Sequence, residues 1–544
     1  MDLIPPAAAD TYAAAPLLNC LLREVAEALP GAGATPPGAD AMSPGSGGAL
    51  PDSGAGLEGS GPGLQGSGAG LSGPGEARVH RLPSGRLLRV RGERRPAEPE
   101  VEVDGHWRHI GHTELVKLVA EELTLHTGRS NHELPAEMID SRDAVAALLA
   151  ARARATPPTD PYLLSEQSLL TGHPYHPAPK ARGGGPAAGW LPYAPEAYAR
   201  FPLTLLGVRE DAVVEEGDTA ALDALGEAPP GYRLLPAHPW QLGLVDLTDA
   251  FADGRLIRLG TTGFDAWPTA AIRTLYAPER DLFLKFSLDV RITNDIRRLW
   301  RHDLRKLRRT DRAAAVAFAG GPAAWLSDRG YRTAGFAFEE LAVLVRDGFH
   351  GHLRPGTTPL LAAGLVEGFA GCPSGSPSGG LPGGPSSSPS GCPSGGAAWW
   401  EAYLRTVVPP ALTAFADHGV VLEAHLQNTL VAVDADGLPV QALFRDAEGV
   451  KLLADVERAA GWERLVYTLV VNHLCEVAAV LAERHPGLDP WPALRRELAR
   501  HDLPEIATLL ASPTLPGKTN LLLRWTEADG ADARYLPLPN PLSR

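Results

Sequence analysis

The segment Glu423-Ala-His-Leu-Gln-Asn-Thr-Leu-Val-Ala-Val-Asp434 joins a group of polar side chains to an apolar run, and it decides how this part of the chain folds. The turn residues Asp436-Gly437 follow, and a second apolar run then leads into an Arg-Asp pair in Val440-Gln-Ala-Leu-Phe-Arg-Asp446. Two apolar runs joined by an Asp-Gly turn predict a β-hairpin. Because a hairpin folds back on itself, we expect Asn428 and Asp446 to lie near each other at one rim.

The polar side chains of this rim suit a site that binds a nucleotide and a metal ion. Glu423, His425 and Gln427 occupy alternate positions, which a strand would place on one face. The amide of Asn428 and the carboxylate of Asp446 are oxygen ligands of the kind that Mg²⁺ prefers, and Mg²⁺ usually completes its shell with waters and substrate phosphates. The alternative is a polar hairpin end with satisfied hydrogen bonds. The gathering of these groups favours nucleotide chemistry over that alternative.

The composition indicates a large acidic protein. The chain has 544 residues, 44% of them hydrophobic, and a net charge of −14 at pH 7. This length allows several domains or one large enzyme with several lobes. A general nucleic-acid binder needs clustered Lys and Arg, so the acidic balance argues against a nucleic-acid partner and favours small molecules bound in a locally basic pocket.

The sequence predicts a cytoplasmic protein with no membrane partner. The four cysteines, Cys20, Cys372, Cys392 and Cys475, form no CxxC pair and no zinc spacing, which fits a reducing compartment. The first thirty residues carry acidic side chains and lack a basic n-region, so they do not resemble a signal peptide. The apolar stretch from Leu465 to Leu481 is interrupted by polar residues such as His473, and it predicts a buried helix rather than a membrane span.

The pattern of apolar residues predicts an α+β fold with two disordered insertions. Gly, Pro and Ser make up 28 of the 46 residues in 31–76 and 23 of the 27 in 371–397, so neither segment can bury enough apolar surface to fold. We expect helices over 11–29, 112–126, 136–154, 294–312, 398–417, 451–484 and 490–511. We expect a small β region over 78–103 and strands at Tyr232–Pro236, Ile257–Leu259 and Leu282–Val290.

A lysine and an arginine upstream of the hairpin are candidates for binding phosphate. Lys285 lies in the middle of an apolar strand pattern, where an unpaired charge is costly, so it faces either an anionic ligand or a partner carboxylate. Thr293 or Asn294 would cap the predicted helix 294–312, whose first turn would offer free N–H groups to phosphate. Arg297, one turn into that helix, would clamp an oxyanion, and the remaining cations of the helix would form a solvated face.

Three shorter motifs complete the set of candidates. Arg273-Thr274 combines a guanidinium with a hydroxyl, a weak phosphate signal by itself. The loop Gly172-His-Pro-Tyr-His-Pro-Ala-Pro-Lys180 is stiffened by three prolines and holds His173 and Lys180 ready for an anion, with a rigid surface loop as the alternative. We interpret His238-Pro-Trp-Gln241 as packing. The sequence contains no Walker A and no GxSxG pattern, so it does not support a P-loop enzyme or an α/β-hydrolase.

In this order, these motifs resemble those of the NRPS-independent siderophore synthetases, the family of the aerobactin, achromobactin and desferrioxamine synthetases. The resemblance covers roughly residues 155–525. It implies a cupped-hand fold: a thumb-like region over 1–160, a fingers-like ATP-binding region over 161–320 and a palm-like helical region over 321–544. The palm, which carries the hairpin, is distantly similar to a protein-kinase lobe.

The resemblance also implies an activity. The enzyme would use ATP and Mg²⁺ to activate a carboxylate of citrate or succinyl type as an acyl-adenylate, release pyrophosphate, and pass the acyl group to an amine or alcohol. A homodimer is plausible on the same ground. The nucleotide ligands implied are His173, Lys180, Arg273, Thr274, Lys285, Thr293, Arg297, Gln427, Asn428 and Asp446. The catalytic residues would be His425, Arg297 and Lys285, and the metal ligands Asn428, Asp446 and Glu423.

The chain departs from the family pattern, and two other functions stay open. The family usually has Ser two residues before the Arg of the Arg-Thr pair, where this chain has Ala271, and the two insertions are not expected. A kinase-like phosphotransferase would also use an Asn and an Asp at a hairpin rim, although the His-Arg-Asp and Asp-Phe-Gly motifs are missing. The third reading is a nucleotide-binding module without turnover. The identity of the carboxylate and of the nucleophile is left open.

Overall fold

The computed structural model describes residues 6–29, 77–367, 395–528 and 535–543, which form a mixed helical and sheet structure. The predicted insertion 31–76 lies outside the described residues, as does 371–394 of the second one. Residues 395–397, which we assigned to that insertion, instead begin a helix.

The first part of the chain combines three helices with an antiparallel five-stranded sheet. The helices are Pro6–Glu24, His112–Thr127 and Glu133–Arg152. The strands are Glu27–Ala28, Ala77–Arg81, Leu87–Arg91, Ala97–Val103 and His106–His109. The predicted helices at 112–126 and 136–154 and the β region are therefore present, and the first helix begins and ends about five residues earlier than we expected.

An eight-stranded sheet forms the central layer of the molecule. Its strands, in spatial order, are Val213–Gly217, Asp328–Ala334, Val343–Asp347, Leu282–Phe286, Thr274–Ala277, Leu256–Pro268, Phe201–Arg209 and Tyr232–Ala237. Short helices surround it at Pro161–Glu166, Ala187–Trp190, Ala220–Asp223, Pro239–Leu242 and Thr248–Ala252, with 3₁₀ turns at Leu191–Tyr193, Pro195–Ala197, Glu210–Ala212 and Pro278–Arg280. The strand Leu282–Phe286, which we call the lysine strand, lies inside this sheet and is buried along its whole length.

The predicted hairpin is the centre of a second, four-stranded sheet. Thr429–Val433 pairs antiparallel with Pro439–Arg445, and together they form what we call the site hairpin. Thr358–Leu361 adds to one side, and Ala324–Leu326 adds in parallel to the other. The remaining strands form two-stranded pairs: Arg291–Ile292 with Asp295–Ile296, Val420–Val421 with Lys451–Leu452, and Thr514–Lys518 with Tyr535–Pro539.

Helices cover the site hairpin and bury the largest apolar core. They are Arg301–Phe318, Ala362–Glu367, Gly395–His418, Arg458–Arg484, Trp491–Leu498 and Pro504–Ala511, with 3₁₀ turns at Ala447–Gly449 and Pro541–Ser543. The helix Leu521–Trp525 instead packs in the core of the first part of the chain. Arg458–Arg484, which we call the long helix, is α-helical except at Val466–Leu474, where it is a π-helix. It is long and apolar enough to cross a membrane, but 78% of its most apolar window is buried within the fold, as we expected of a core helix.

Two local predictions are wrong. Residues 294–300 are not helical, because the backbone N–H of Arg297 donates to the carbonyl of Val290 and extends the small hairpin around Thr293. The helix begins only at Arg301, so Thr293 and Asn294 do not cap it and no free helical N–H groups lie there.

The second wrong prediction is the strand through Glu423, His425 and Gln427. The strand ends at Val421, and the chain turns before the site hairpin begins at Thr429. These side chains therefore do not share a strand face. Two boundary errors accompany it: the predicted helix 490–511 is divided in two, and residues 451–457 precede the long helix as a short strand and turn.

Candidate active site

Lys285 lies between two carboxylates that come from the far end of the site hairpin. Its Nζ is 2.5 Å from Oδ1 of Asp446 and 2.7 Å from Oε2 of Glu448. Only 4% of its side chain is exposed, so the charge is buried and needs these partners. Thr274 is the residue opposite Lys285 in the neighbouring strand, which brings the predicted Arg-Thr motif to the same place.

Asp446 is fixed by two cations and an unusual backbone conformation. It follows the site hairpin with a φ of 83°, in the left-handed region that few side chains adopt. Nη2 of Arg346 lies 2.9 Å from Oδ1 of Asp446, and the same guanidinium binds Asp328, which in turn accepts a hydrogen bond from the N–H of Ala447. Burial by itself raises the pKa of Asp446, but Lys285 and Arg346 outweigh it and hold that pKa well below its usual range.

Glu448 is a member of the site that our reading of the sequence missed. Its carboxylate binds Lys285 and lies 3.5 Å from Nη2 of Arg273. Burial opposes its ionisation, but Lys285 and Arg273 lower its pKa below the usual value. Its position two residues after Asp446, in the 3₁₀ turn that follows the site hairpin, was the only signal available in the sequence.

Arg297 reaches the site from the small hairpin rather than from a helix. Its Nη2 donates to the carbonyl of Ile292 at 2.7 Å and to the hydroxyl of Thr293 at 2.5 Å. Nη1 of Arg273 donates to the carbonyl of Arg297 at 2.9 Å, so the two arginines are neighbours. Burial and the nearby Arg273 charge lower the pKa of Arg297. Within the described residues, no carboxylate lies within 4.0 Å of the Arg297 guanidinium.

The turn over residues 422–428, which we call the rim loop, fixes the ring of His425. Its Nδ1 accepts a hydrogen bond from the N–H of Gln427 at 3.2 Å, which leaves Nε2 as the nitrogen that carries the proton in the neutral ring. Burial lowers the pKa of His425, so the ring is neutral at pH 7. Nδ2 of Asn428 donates to the carbonyl of Glu423, whose carboxylate is paired with Arg464 at 3.1 Å.

Arg445 links the rim loop to the two carboxylates. Its backbone N–H donates to the carbonyl of Asn428, and its guanidinium donates to the carbonyl of Gln427. Because Asp446 is the next residue, this pairing places the end of the rim loop beside the carboxylates, as the hairpin prediction required. The guanidinium also forms a buried ion pair with Glu166 at 2.7 Å.

His173 joins the same region from the proline-rich loop. Burial lowers its pKa to about 4, and the charges that act on it belong to His425, Arg23 and Lys518. Its Nδ1 accepts a hydrogen bond from the N–H of Tyr175. The loop therefore brings a neutral imidazole towards His425, which the spacing of the sequence could not establish.

Lys180 has a different environment from the other predicted ligands. Its ammonium is buried and bonded to Glu196 at 2.6 Å and to the carbonyl of Leu169. Its Cε packs against Gly172, where a Cβ would lie only 3.0 Å away, and this glycine has a φ of +72°. Among the described residues, the hydrogen bonds of Lys180 are to Ser141, Leu169 and Glu196, and none is to another predicted ligand.

Three cations that the sequence did not single out surround His173 and His425. Arg23 comes from the first helix, Arg464 from the long helix and Lys518 from the strand Thr514–Lys518. Burial and the Arg464 charge lower the pKa of Lys518, and its ammonium lies 5.4 Å from the ring centre of Tyr467. In the part of the chain that the structure describes, no carboxylate lies within 4.0 Å of that ammonium. Arg464 is paired with Glu423, and the charges of Glu423 and Asp295 also act on Lys518, so the positive charge of this wall is partly compensated.

The donor groups fit a Mg²⁺ ion bound together with phosphates. Asp446 and Glu448 share one ammonium, so their carboxylates are close enough to serve one ion, and Asn428 lies beside them. The described residues contain no group of three or more acidic, His or Cys side chains that would hold a metal alone. This suits Mg²⁺, which usually takes one or two carboxylates and leaves its other positions to water and substrate.

Comparison with protein families divides the chain into two matched regions. Residues 161–367 match the model of the IucA / IucC family. Residues 397–533 match a model described as a ferric iron reductase FhuF-like transporter. The first region contains the lysine strand and the second contains the rim loop, so the candidate site is built from both.

Named relatives extend the similarity over most of the chain. An L-2,3-diaminopropanoate–citrate ligase of Staphylococcus aureus is 29% identical over 449 residues, which cover 70% of this chain and 75% of the relative. The rhizobactin siderophore biosynthesis protein RhbC of Rhizobium meliloti is 30% identical over 445 residues, with the same coverage of both chains.

Solved structures share the fold at lower sequence identity. The ATP-bound aerobactin synthetase IucA of Klebsiella pneumoniae superimposes with a TM-score of 0.74 over 98% of this chain and 99% of that one, at 21% identity. The petrobactin biosynthesis protein AsbB of Bacillus anthracis gives a TM-score of 0.67 over 88% and 92% of the two chains, at 17% identity. The match to the IucA / IucC family model and the relative that is 30% identical over three quarters of its length establish that the chain belongs to the IucA/IucC family, the NRPS-independent siderophore synthetases.

Proposed function

We propose that this protein is an ATP-dependent ligase of siderophore biosynthesis that activates a carboxylate as an acyl-adenylate and transfers the acyl group to an amine or alcohol. The observation that carries the proposal is the buried cluster in which Lys285 lies between Asp446 and Glu448, with Arg273 and Arg346 alongside. Paired carboxylates and excess cations meet the needs of a magnesium nucleotide. The names of the relatives, citrate ligases among them, supply the reaction class.

Within this proposal the molecule follows the cupped-hand plan. Residues 1–160 form the thumb, 161–320 the fingers and 321–544 a palm that is distantly kinase-like. We also propose a cytoplasmic location and leave the homodimer as a proposal from the resemblance. The proposed nucleotide ligands are His173, Arg273, Thr274, Lys285, Thr293, Arg297, Gln427, Asn428 and Asp446. Lys180 acts in support of the His173 loop, because its ammonium is bonded to Glu196.

Asp446 and Glu448 would hold Mg²⁺, with Asn428 as a third oxygen ligand. When bound, the ion would neutralise phosphate charge. Glu423 is a weaker candidate for a metal ligand, because its carboxylate is paired with Arg464. In this scheme Lys285 and Arg273 are released from the two carboxylates and turn to the phosphates, so the ion pairs of the free protein keep these cations in place until the nucleotide arrives.

The positive wall formed by Arg23, Arg464 and Lys518 supports a substrate with more than one carboxylate. The ammonium of Lys518 is half-buried and has no carboxylate within 4.0 Å among the described residues, and a substrate anion would offset the cost of that burial. Of the acids that the family resemblance allows, citrate places extra carboxylates here and a succinyl amide does not. We therefore propose a citrate-type acid as the first substrate.

The reaction proceeds in two displacements. An oxygen of the substrate carboxylate attacks the α-phosphorus of ATP, the bond to the β-phosphate oxygen breaks, and pyrophosphate leaves. The amine or hydroxyl then attacks the activated carbonyl carbon, loses its proton, and expels AMP. The neutral His425 ring presents Nε2–H to the reacting oxygens, and Arg297 neutralises the charge that accumulates between carboxylate and phosphate. A single preorganised donor of this kind is worth about 10²–10³ in rate.

The test is carboxylate-dependent release of pyrophosphate from ATP and Mg²⁺. The panel contains citrate, succinate, α-ketoglutarate and succinyl-diamines, each with hydroxylated diamines, and the product nucleotide is identified. We expect AMP and pyrophosphate with citrate, and a loss of about 10²-fold or more in Arg297→Ala. The matched control is Arg305→Ala, an exposed arginine of the helix Arg301–Phe318, which should leave the rate unchanged. ADP as the product would establish phosphotransfer instead, and tight ATP binding with no turnover on the whole panel would establish a binding module.

A further inference from the structure

A buried histidine of the long helix, which is not among the proposed ligands, forms a hydrogen bond with the backbone of the rim loop. His473 belongs to the π-helical part of the long helix and is completely buried. Its Nδ1 lies 2.8 Å from the carbonyl oxygen of Ala424, and its Nε2 lies 2.5 Å from the hydroxyl of Tyr403. Ala424 stands between Glu423 and His425, so the bond acts on the peptide that leads into His425.

The hydrogen bonds determine which nitrogen carries the proton. A carbonyl oxygen can only accept, so Nδ1 of His473 is the protonated nitrogen and donates to Ala424. Nε2 is then the acceptor, and the Tyr403 hydroxyl donates to it. Burial lowers the pKa of His473 to about 4 and raises that of Tyr403, so both groups are neutral and this arrangement is the stable one.

The π-helix explains how one helix can contact the rim loop at successive points. Arg464 binds Glu423, and Thr468, four residues later, lies 3.4 Å from the carbonyl of Leu422. His473 follows five residues after Thr468. In an α-helix two residues five apart point about 140° away from each other. The i→i+5 bonding of a π-helix turns the chain less per residue and so reduces that angle, and Thr468 and His473 both contact the same loop.

We infer that His473 is a positioning residue for the reaction, which fixes the rim loop through Ala424 and thereby aims His425, and that Tyr403 holds His473 in the required tautomer. The rate consequences rest on the proposed function, whereas the structural consequence for His425 does not. Among the described residues, the ring of His425 has one hydrogen bond, from the N–H of Gln427, a residue of the same loop. Arg445, Arg464 and Thr468 also hold the loop from outside, and His473 adds the contact at Ala424, the residue that directly precedes His425.

Three variants separate this role from a general role in packing. His473→Phe keeps an aromatic ring but removes the bond to Ala424. His473→Asn keeps an N–H donor close to the position of Nδ1 and serves as the conservative rescue. Tyr403→Phe removes the partner of Nε2 alone. The control is His112→Phe, because His112 is also a buried neutral histidine but has no hydrogen-bond partner among the described residues.

The first readout is turnover with the carboxylate that supports pyrophosphate release. We expect His473→Phe to lower kcat by about 10²-fold, the size of effect that a small displacement of a reacting group produces, with little change in the KM for ATP. His473→Asn should recover most of that loss, Tyr403→Phe should lose less than His473→Phe, and His112→Phe should match the wild type. Equal losses in His473→Phe and His473→Asn, or an unchanged kcat in His473→Phe, would overturn the inference.

The second readout does not require activity. In long-range ¹H–¹⁵N spectra of protein labelled at histidine nitrogen, the signals of His425 are identified by their loss in His425→Gln. We expect the Nε2–H tautomer in the wild type, a mixture in His473→Phe, and the wild-type pattern again in His473→Asn. An unchanged His425 tautomer in His473→Phe would refute the anchor even if the enzyme is inactive. A wild type without pyrophosphate release but with these spectral changes would refute only the proposed function.

Discussion

At the scale of single residues, Asp446 combines two properties that rarely occur together. It adopts a left-handed backbone conformation without being glycine, and it is a partly buried carboxylate held by two cations. Conformations of this kind are stabilised only where the surroundings impose them, and they cluster at functional sites. The bond between Arg346, Asp328 and the N–H of Ala447 supplies that constraint from the neighbouring sheet.

Asp446→Asn tests the charge without disturbing the backbone, because asparagine also tolerates the left-handed region. We expect kcat/KM for pyrophosphate release to fall by about 10²–10³ and the Mg²⁺ concentration for half-maximal rate to rise. The control is Asp455→Asn, which removes an exposed carboxylate paired with Arg309 and should have no effect on either quantity. A normal Mg²⁺ dependence in Asp446→Asn would show that this carboxylate is not a metal ligand.

Residue-level prediction from the sequence succeeded where the partners are close along the chain. Asn428 and Asp446 were brought together correctly, since a two-stranded hairpin needs only a local turn. Arg346, Arg464 and Lys518 could not be found, because each reaches the site from an element whose position depends on tertiary packing. The expected alternative for Lys285, a partner carboxylate, is what the free protein contains, and the same carboxylates are the proposed metal ligands.

At the scale of elements, the helix Pro6–Glu24 and the short helix Leu521–Trp525 are joined by one side chain. The carboxylate of Glu24 accepts hydrogen bonds from the N–H groups of Asn520, Leu521 and Leu522. These are the unpaired donors at the start of the short helix. Burial raises the pKa of Glu24 to about 7, although the three hydrogen bonds oppose that rise.

The raised pKa of Glu24 predicts a pH-dependent stability near neutrality. Since the folded value of about 7 lies above the ordinary 4.5, the stabilisation is complete below pH 4.5 and is lost as the pH rises through 7. Between pH 5.5 and pH 8 this costs about 2 kcal/mol. We expect the midpoint of thermal unfolding to fall less over this range in Glu24→Gln than in the wild type. Glu27→Gln, an exposed neighbour, should retain the wild-type fall; equal falls in all three would contradict the assignment.

The error over 294–312 shows why element boundaries were the weakest part of the prediction. The cations of 301–312 do lie on a helix, as their spacing indicated. The residues before it carry capping side chains, yet their backbone groups pair with Leu288 and Val290 across the small hairpin. The backbone forms a β pairing that the sequence pattern does not reveal, in place of the helix start that the capping residues suggest. Arg297 therefore reaches the site from the small hairpin and not from a helix.

At the scale of the whole molecule, a buried ion pair joins the short helix Pro161–Glu166 to the site hairpin. Arg445 and Glu166 are 4% and 0% exposed, and the hydroxyl of Tyr162 bonds to both. Removing one partner of such a pair leaves the other charge buried without compensation. Arg445, one partner of this ion pair, directly precedes Asp446 in the chain.

Glu166→Gln should therefore destabilise the fold strongly. We expect a loss of about 3–5 kcal/mol, seen as a lower midpoint in thermal or urea unfolding, because the Arg445 guanidinium stays buried. Glu401→Gln breaks an exposed pair with Arg496 and should cost at most about 1 kcal/mol. Similar losses in the two variants would mean that solvent reaches Arg445.

The segment between the strands Glu27–Ala28 and Ala77–Arg81 is expected to be dispensable. Ala28 pairs with His80, and the N–H of Leu29 donates to the carbonyl of Val79. The residues on either side of that segment are therefore neighbours in one sheet. Replacing residues 32–74 with a short Gly-rich turn should leave thermal stability and pyrophosphate release unchanged, since shortening a loop changes closure entropy only slowly. A large loss in either property would assign that segment a function.

The π-helical turn has a consequence for how this protein tolerates changes in length. Deleting one residue between Thr468 and His473 would allow the helix to become α-helical throughout, rather than break it. His473 would then follow Thr468 by four residues, the spacing that keeps two side chains on one face of an α-helix, so the imidazole would still face Ala424 while Arg464 kept its contact with Glu423. A homologous chain with a helix one residue shorter can therefore anchor its rim loop with the same histidine. Alignments across this helix should accordingly be anchored at Arg464 and carry the gap before His473.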